Sequence, residues 1–248
     1  LMRRARASWR ALRLLLHLLH GLAVLALRFP LLDQAARRQR VQWWSASLLR
    51  LAGRQLQLRG TARPGATLLL ANHVSWLDIA AIHAGAPHAR FVAKAELRRW
   101  PLLGWMSRTA GTLFIERERS RDALRVVHQV AQALADGDSV VVFPEGTTGD
   151  GATLLPFHAN LLQAAIATGT PVQPVVLRYS DAVHRFSPAV QYLGATTLVQ
   201  SAWRVLSAQD LCVHVDLLAP QGARHADRRA MAACVRAQIQ QQLRGQAT

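Results

Sequence analysis

Short runs of leucine, valine and isoleucine recur from residue 54 onward, and segments with helical spacing separate them. Five of these runs are TLLLA (67–71), RFVAK (90–94), TLFI (112–115), SVVVF (139–143) and VQPVVLRY (172–179). Runs that are apolar on both faces are typical of strands buried in a parallel sheet between layers of helices. We therefore predict an α/β domain over residues 54–248, built on a mixed, largely parallel sheet flanked by helices.

The segments between these runs support the same fold. Residues 121–138 and 160–169 have apolar positions at helical spacing, and Gly169 is a residue type that ends a helix. LCVHVDLLAP (211–220) predicts another strand and residues 226–243 a closing helix. Residues 184–210 show no clear pattern.

The first 53 residues have a different pattern, which predicts a membrane-binding segment. Five arginines precede an apolar run from Leu14 to Leu27, which is shorter than the roughly 20 residues that a membrane-spanning helix needs. Further arginines follow the run, so the positive-inside rule gives no orientation for a single span. We predict that residues 1–53 form a helical membrane anchor or an interfacial hairpin, with Trp43 and Trp44 in its second helix.

The charge of the chain is strongly positive, with 30 Lys and Arg against 14 Asp and Glu and a net charge of +16. This excess suits nucleic acid and the anionic surface of a bilayer equally well. A nucleic-acid-binding protein would place exposed aromatic side chains among its arginines, whereas the aromatics here lie beside leucines or within motifs. We therefore predict no nucleic-acid partner. Cys212 and Cys234 lack metal-ligand spacing, so we also predict no metal site.

The segment LLLANHVSWLDIAAIH (68–83) carries a histidine and an aspartate at the end of a predicted strand. His73 and Asp78 are five positions apart, which would place them about 140° apart on one regular helix. They meet only if the helix begins between them, and Ser75 is a residue type that caps such a start. His73, oriented by Asp78, would then act as a general base towards a hydroxyl group.

Two other interpretations of this segment stay open. Asp78 would also stabilise the start of a helix without any catalytic role, with His73 bonded to the backbone of a loop. Ser75 would suit a serine hydrolase, although the G-x-S-x-G turn that exposes such a nucleophile is absent around it.

Two further strands are predicted to end in polar residues at the same edge of the sheet. Arg117 follows the strand at 112–115, and its guanidinium group suits a phosphate. Glu145 and Thr147 follow the strand at 139–143, with the flexible Gly146 between them. Three strand ends of this kind favour a functional site over ordinary turns.

Four ordered motifs resemble those of the glycerolipid acyltransferase family, and most nearly those of bacterial 1-acyl-sn-glycerol-3-phosphate acyltransferases. The motifs are N-H-x-S-x-x-D (72–78), G-x-x-F-I-x-R (111–117), F-P-E-G-T (143–147) and V-x-P-V-V (172–176). The resemblance implies an enzyme of phospholipid biosynthesis that moves a fatty acyl chain to the free hydroxyl of 1-acyl-sn-glycerol-3-phosphate and gives phosphatidic acid. It implies acyl-CoA or acyl carrier protein as the donor, no cofactor, and a location at the cytoplasmic face of the bacterial inner membrane.

The resemblance also implies a role for each matching residue. His73 would be the catalytic base, and Asp78 would orient it. The residues implied to bind the acceptor and its phosphate are Arg117, Lys94, Glu145, Gly146 and Thr147. The residues implied to support the motifs are Asn72, Ser75, Gly111, Phe114, Pro144 and Pro174.

The chain departs from the family where members acting on lysophosphatidic acid often continue E-G-T-R-S. Thr148 and Gly149 stand at the last two of these positions, so one expected phosphate partner is missing. The variant EGTTGDG is similar to a branch of the family that includes acyltransferases for lyso-ornithine lipids, which are the alternative acceptors. Arg178 and Arg185 are the candidates to supply the missing positive charge.

Overall fold

The computed structural model describes residues 2–52, 55–115 and 120–245. Its strands are β1 (Gln55–Arg59), β2 (Thr67–Ala71), β3 (Ala89–Lys94), β4 (Leu113–Ile115), β5 (Ser139–Val142), β6 (Val172–Ser180) and β7 (Cys212–Leu217). Its helices are α1 (Met2–Leu27), α2 (Gln34–Leu51), α3 (Asp78–Gly85), α4 (Pro101–Thr109), α5 (Ser120–Ala135), α6 (Leu162–Thr168), α7 (Leu198–Ser207) and α8 (Arg228–Gly245).

Within the described ranges, seven strands form one sheet in the order β1-β7-β6-β2-β5-β3-β4. Neighbouring strands are parallel in every pair except β6 and β7. The predicted mixed, largely parallel sheet is therefore confirmed, and the five apolar runs form β2 to β6. Because β2 lies between β5 and β6 and is parallel to both, the carboxyl ends of these three strands meet at one edge of the sheet.

Helices cover both faces of the sheet, which explains why its inner strands are apolar without alternation. Leu69 and Val175 face the side on which α2, α3 and α7 pack. Leu68 and Val176, their neighbours in sequence, face α5, α6 and α8. Successive side chains of a strand therefore point to opposite faces of the sheet. Only alternate residues of a strand can contact a group on a given face.

α1 and α2 pack together as a helical hairpin. The rings of His17 and Trp44 stack with centroids 5.1 Å apart, and Nε1 of Trp44 donates a hydrogen bond of 3.3 Å to the carbonyl of His17. Gly21 permits this contact, because a Cβ at this position would lie 2.4 Å from Nε1 of Trp44. The hairpin is thus fixed by close packing between the two helices.

The two helices of the hairpin differ in what they face. α1 exposes a series of large apolar side chains, which are Trp9, Leu12, Leu15, Leu16 and Leu19. By length and composition alone, Arg4–Leu27 is long and apolar enough to cross a membrane. Leu48 and Leu49 of α2 are instead buried in the same core as the sheet. The hairpin therefore has an outer apolar face and an inner face that is part of the α/β core.

Asn72 joins the carboxyl end of β2 to β6. Its side-chain amide donates a hydrogen bond of 2.9 Å to the carbonyl of Leu177 and accepts one of 2.8 Å from the Leu177 N–H. Both residues are buried, so these two bonds satisfy backbone groups beside the point where β2 ends. The amide thereby fixes where the chain leaves the sheet towards His73.

Replacing Asn72 by alanine is expected to lower the free energy of unfolding by about 2–4 kcal/mol, because both backbone groups of Leu177 would be left buried without a partner. Urea unfolding followed by circular dichroism measures this loss. Asn160→Ala is the matched control, since Asn160 is exposed. A loss no larger than that of the control would contradict the role given to the Asn72 amide.

Candidate active site

His73 and Asp78 meet at the carboxyl edge of the sheet, as predicted. Nδ1 of His73 lies 2.7 Å from Oδ2 of Asp78. His73 lies two residues after the end of β2, and Asp78 is the first residue of α3. The side chain of His73 is 22% exposed, whereas that of Asp78 is fully buried. The pair therefore combines an accessible imidazole with a carboxylate that solvent does not reach.

Four donors hold the carboxylate of Asp78. Besides the His73 ring, Oδ2 accepts the N–H groups of Val74 at 2.7 Å and Ser75 at 3.0 Å. Oδ1 accepts the hydroxyl of Tyr179, which lies on β6 and is itself buried. A buried carboxylate is tolerated only when hydrogen bonds replace its lost hydration. These bonds fix the orientation of Asp78 and, through it, that of the His73 ring.

The start of α3 differs from the prediction. The helix begins at Asp78, its N-cap residue is Leu77, and no side chain caps it. The hydroxyl of Ser75 accepts only a long bond of 3.4 Å from the N–H of Leu77, so the prediction of Ser75 as the cap was wrong. The physical reason is that the Asp78 carboxylate turns back onto the N–H groups of Val74 and Ser75. Ser75 is also fully buried, which disfavours it as an exposed hydrolase nucleophile.

The ring of His73 is held on one face by an aromatic neighbour. Phe143, which follows β5, stacks on it with centroids 4.0 Å apart and planes 15° apart. Phe91 of β3 stacks in turn on Phe143 with centroids 6.2 Å apart. Three neighbouring strands thus contribute to the position of the imidazole.

The segment after β5 holds the backbone of His73. Oε1 of Glu145 accepts the N–H of His73 at 2.8 Å, and the carbonyl of His73 accepts the N–H of Gly149 at 2.7 Å. Oε2 of Glu145 accepts the N–H of Leu155 at 2.8 Å. Burial raises the pKa of Glu145, and its bonds to these two N–H groups oppose that effect. Glu145 thus links the backbone of His73 to that of Leu155, a contact that the sequence did not predict.

Comparison with known proteins shows to which family the chain belongs. Residues 55–178, half of the chain, match the family model described as Acyltransferase. The chain belongs to the acyltransferase family. A lyso-ornithine lipid O-acyltransferase of Pseudomonas aeruginosa is 38% identical over 209 residues, which is 83% of this chain and 79% of that protein. A 1-acyl-sn-glycerol-3-phosphate acyltransferase of Neisseria meningitidis is 40% identical over 168 residues, which is 67% of this chain and 64% of that protein.

A solved structure shares the fold of this acyltransferase. The crystal structure of the 1-acyl-sn-glycerophosphate (LPA) acyltransferase PlsC from Thermotoga maritima matches this fold with a TM-score of 0.76. The match covers 98% of this chain and 97% of the Thermotoga maritima chain. The sequences are 19% identical, so this likeness concerns the fold alone. The family and the fold class that the sequence predicted are confirmed.

The remaining motif residues of the acyltransferase lie around the same edge of the sheet or support it. Gly146 has a φ of +72°, a conformation that favours glycine, and Thr147 beside it is exposed. Pro144 is buried, and its carbonyl accepts the N–H of His158 at 2.8 Å. Pro174 is buried within β6. Pro144 and Gly146 shape the segment that carries Glu145. Direct contact of Gly146 and Thr147 with an acceptor stays a prediction.

The residues predicted to bind phosphate are described only in part. Arg117 lies outside the described residues. Lys94 ends β3, and its side chain is likewise outside the described part. Gly111 has a φ of +79° in the turn before β4. The ring centroid of Phe114, on β4, lies 5.6 Å from the guanidinium carbon of Arg98.

Thr148 and Gly149, where the chain departs from the motif, face the protein itself. The hydroxyl of Thr148 donates to the carbonyl of Tyr192, and the Tyr192 N–H donates to the carbonyl of Val74 at 3.4 Å. The Gln191 side chain donates to the carbonyl of Asp150 at 3.1 Å. Residues 191–192, in a part of the sequence without a clear pattern, therefore pack against the turn after His73.

Arg178 and Arg185 do not face Asp78. Arg178 neighbours Tyr179 on β6 and so lies on the opposite side of the sheet, where it lines a cavity with His214. Arg185 donates to the carbonyl of Arg244 at 3.0 Å, at the end of α8 on that same side. The suggestion that either arginine supplies the missing charge of the site was therefore wrong.

Tyr179 is the site residue that sequence reasoning missed. It lies 101 positions after Asp78, and only the pairing of β6 with β2 brings its hydroxyl to Oδ1. Burial raises its pKa well above the usual tyrosine value, and the charge of Asp78 adds to the effect. The hydroxyl therefore stays protonated and donates to the carboxylate. A tyrosine within a run of apolar residues was the only available signal.

Replacing Tyr179 by phenylalanine is expected to lower kcat by about tenfold, because a bond of roughly 1.5 kcal/mol that orients Asp78 is lost. The KM for the acceptor should change little, since Tyr179 is buried behind Asp78. Steady-state kinetics measures both constants. Tyr192→Phe is the matched control, because the bonds seen for Tyr192 use its backbone. Equal kcat values for the two variants would contradict the role given to the Tyr179 hydroxyl.

Proposed function

We propose that this protein is a lysolipid O-acyltransferase that moves a fatty acyl chain from acyl-CoA or acyl carrier protein to a free hydroxyl of a lysolipid. The observation that carries the proposal is the pair of His73 and Asp78 at the carboxyl edge of the sheet, with Nδ1 and Oδ2 2.7 Å apart. Membership of the acyltransferase family supports the reaction class.

In this proposal His73 is the general base. Because Asp78 holds Nδ1, Nε2 is the nitrogen that takes the proton of the acceptor hydroxyl. The hydroxyl oxygen then attacks the carbonyl carbon of the thioester and forms the new ester bond. The C–S bond breaks, and the departing thiolate takes the proton from the imidazolium. Asp78 stabilises the transient positive charge on the ring.

We infer that lyso-ornithine lipid is the preferred acceptor. At the position where members acting on lysophosphatidic acid often carry arginine, this chain has Thr148, whose hydroxyl is bonded to the Tyr192 carbonyl. A phosphate monoester would therefore lack that partner. This chain also covers most of the length of two proteins named lyso-ornithine lipid O-acyltransferase. It covers 79% of the one from Pseudomonas aeruginosa and 88% of the one from Brucella abortus.

The second candidate acceptor is 1-acyl-sn-glycerol-3-phosphate, with phosphatidic acid as the product. The observation that favours it is the 40% identity to the Neisseria meningitidis protein of that name. The family resemblance adds Arg117 and Lys94 as its phosphate ligands. The chemistry at His73 would be the same for both acceptors.

Acyl transfer from a long-chain acyl-CoA to each acceptor, followed by mass spectrometry of the product, tests this assignment. We expect a higher kcat/KM for lyso-ornithine lipid, and we expect Thr148→Arg to shift the ratio towards 1-acyl-sn-glycerol-3-phosphate. Thr153→Arg is the control, because it adds the same charge at an exposed position of the same loop. Preference of the wild type for the phosphate-bearing acceptor would establish the second candidate instead. Acylation of neither would contradict the proposed acceptor class.

The proposed location is the cytoplasmic face of the bacterial inner membrane. The exposed apolar side chains of α1 support contact with a bilayer, where a lysolipid acceptor has its acyl chain. Because the inner face of α2 is part of the core, the hairpin would lie against the membrane while the α/β domain stays in water.

A further inference from the structure

The start of α4 carries large apolar side chains that no described residue covers. Trp100, Leu102 and Leu103 are 49%, 59% and 36% exposed, and they fall within four consecutive positions. Elsewhere in the described residues, Leu124 and Val183 are exposed singly, and Val199 and Trp203 form an exposed pair on α7. Single exposed apolar residues are ordinary, whereas a contiguous group indicates a contact surface.

The backbone of α4 packs closely against the turn that precedes it. Gly104 of α4 is buried against the short 3-10 turn at Ala95–Arg99, and a Cβ on it would lie 2.7 Å from the carbonyl oxygen of Leu97. Pro101 begins the helix, which favours its start at this point. The exposed side chains are thus presented by a fixed element of structure.

Basic side chains border the apolar group. Arg98 and Arg99 precede it and Arg108 lies in the last turn of α4, and all three are exposed. Glu96 is the single acidic residue between positions 95 and 110. Apolar residues with tryptophan, bordered by arginine, fit the headgroup region of a membrane that contains anionic lipid.

The position of α4 connects this group to both α1 and the site. α4 contacts α1, whose apolar face is also exposed. It follows the carboxyl end of β3, and β3 is parallel to β5, which is parallel to β2. The group therefore lies at the edge of the sheet at which His73 lies.

We propose that Trp100, Leu102 and Leu103, with Arg98, Arg99 and Arg108, form a second contact with an anionic lipid surface; we call this the α4 surface. It rests on the proposed function in one respect, that α1 brings the protein to a bilayer. Two separated contacts fix the orientation of the domain, so that the edge carrying His73 faces the lipid. A lysolipid hydroxyl then reaches His73 while its acyl chain stays in the bilayer. A second copy of the chain is a poorer partner, because a two-fold contact would bring these arginines together.

An environment-sensitive fluorophore on the full chain tests the α4 surface. Leu103→Cys is labelled in a Cys234→Ser background, since Cys234 is exposed and Cys212 is buried. Vesicles of phosphatidylethanolamine and phosphatidylglycerol are added, and the emission of the sedimented fraction is recorded. We expect a blue shift at position 103 and none for Leu124→Cys, which is the matched exposed position on α5.

The outcomes separate the inference from the proposed function. Sedimentation of the protein without a shift at position 103 would overturn the α4 surface and leave the anchor and the reaction untouched. Failure to sediment would overturn both the anchor and the α4 surface. A shift that appears without vesicles and grows with protein concentration would indicate contact between copies of the chain and would also overturn the proposal.

A second measurement tests the charges. Arg98→Gln and Arg99→Gln are each expected to weaken binding to vesicles with phosphatidylglycerol by about fivefold, with little change on phosphatidylcholine vesicles. The KM for a vesicle-borne acceptor should rise while kcat stays constant. Arg229→Gln, at an exposed position of α8, is the control. Equal binding by all three variants would contradict an electrostatic contact at the α4 surface.

Discussion

His73→Ala is expected to lower acyl transfer by about 10²–10⁴-fold, because the variant lacks the general base that takes the acceptor proton. The fold should persist, since the ring is partly exposed and its main packing contact is one face of Phe143. Steady-state transfer rates and a thermal unfolding curve measure the two effects. His158→Ala is the matched control, because His158 is exposed near the same edge.

Normal turnover by a folded His73→Ala variant would contradict the role of the pair. A loss of activity that accompanies a lower unfolding temperature would show a structural contribution of the histidine instead. His158→Ala should keep normal turnover and stability, which would show that the loss in His73→Ala does not follow from removing any histidine near this edge.

Asp78→Asn is expected to lower kcat by about 10²–10⁴-fold while the protein stays folded. The amide oxygen can take the place of Oδ2 and accept the Val74 and Ser75 N–H groups, and the amide nitrogen can donate to the Tyr179 hydroxyl. The negative charge that stabilises an imidazolium is nevertheless lost. Steady-state kinetics of the single and double variants measures the effect.

The double variant His73→Ala/Asp78→Asn provides the decisive control. Residues that act as one unit have non-additive effects, so the double variant should be no slower than His73→Ala alone. Additive losses would show that Asp78 acts independently of His73, and the orienting role would then be wrong.

The sequence predicted those parts of the fold that depend on local pattern. Continuous apolar runs indicated β2 to β6, because strands covered on both faces leave no position for polar side chains. β1 was missed, since QLQLR (55–59) alternates and is largely exposed at the edge of the sheet. α4 and α7 were missed as well. α4 has exposed leucines at its start, which obscure the helical period.

The sequence predicted the central pair of the candidate site, and it did not predict the contacts that hold this pair in place. The spacing of His73 and Asp78 allowed a pairing across a helix start, and the structure has it. Tyr179 and the backbone contacts of Glu145 depend on which strands become neighbours, which local pattern does not contain. Ser75 was assigned as the cap because residue type was the only available guide. The turn of the Asp78 carboxylate onto the Val74 and Ser75 N–H groups is a property of the folded loop.

The most direct test follows CoA release and ester formation in the same reaction of purified protein, acyl-CoA and lyso-ornithine lipid. The account predicts one new ester for each CoA released, a rate that depends on the acceptor, and loss of both products in His73→Ala. CoA release without ester formation would mean that water is the acceptor and that the protein is a thioesterase. Ester formation that persists in His73→Ala would contradict the catalytic role of the histidine.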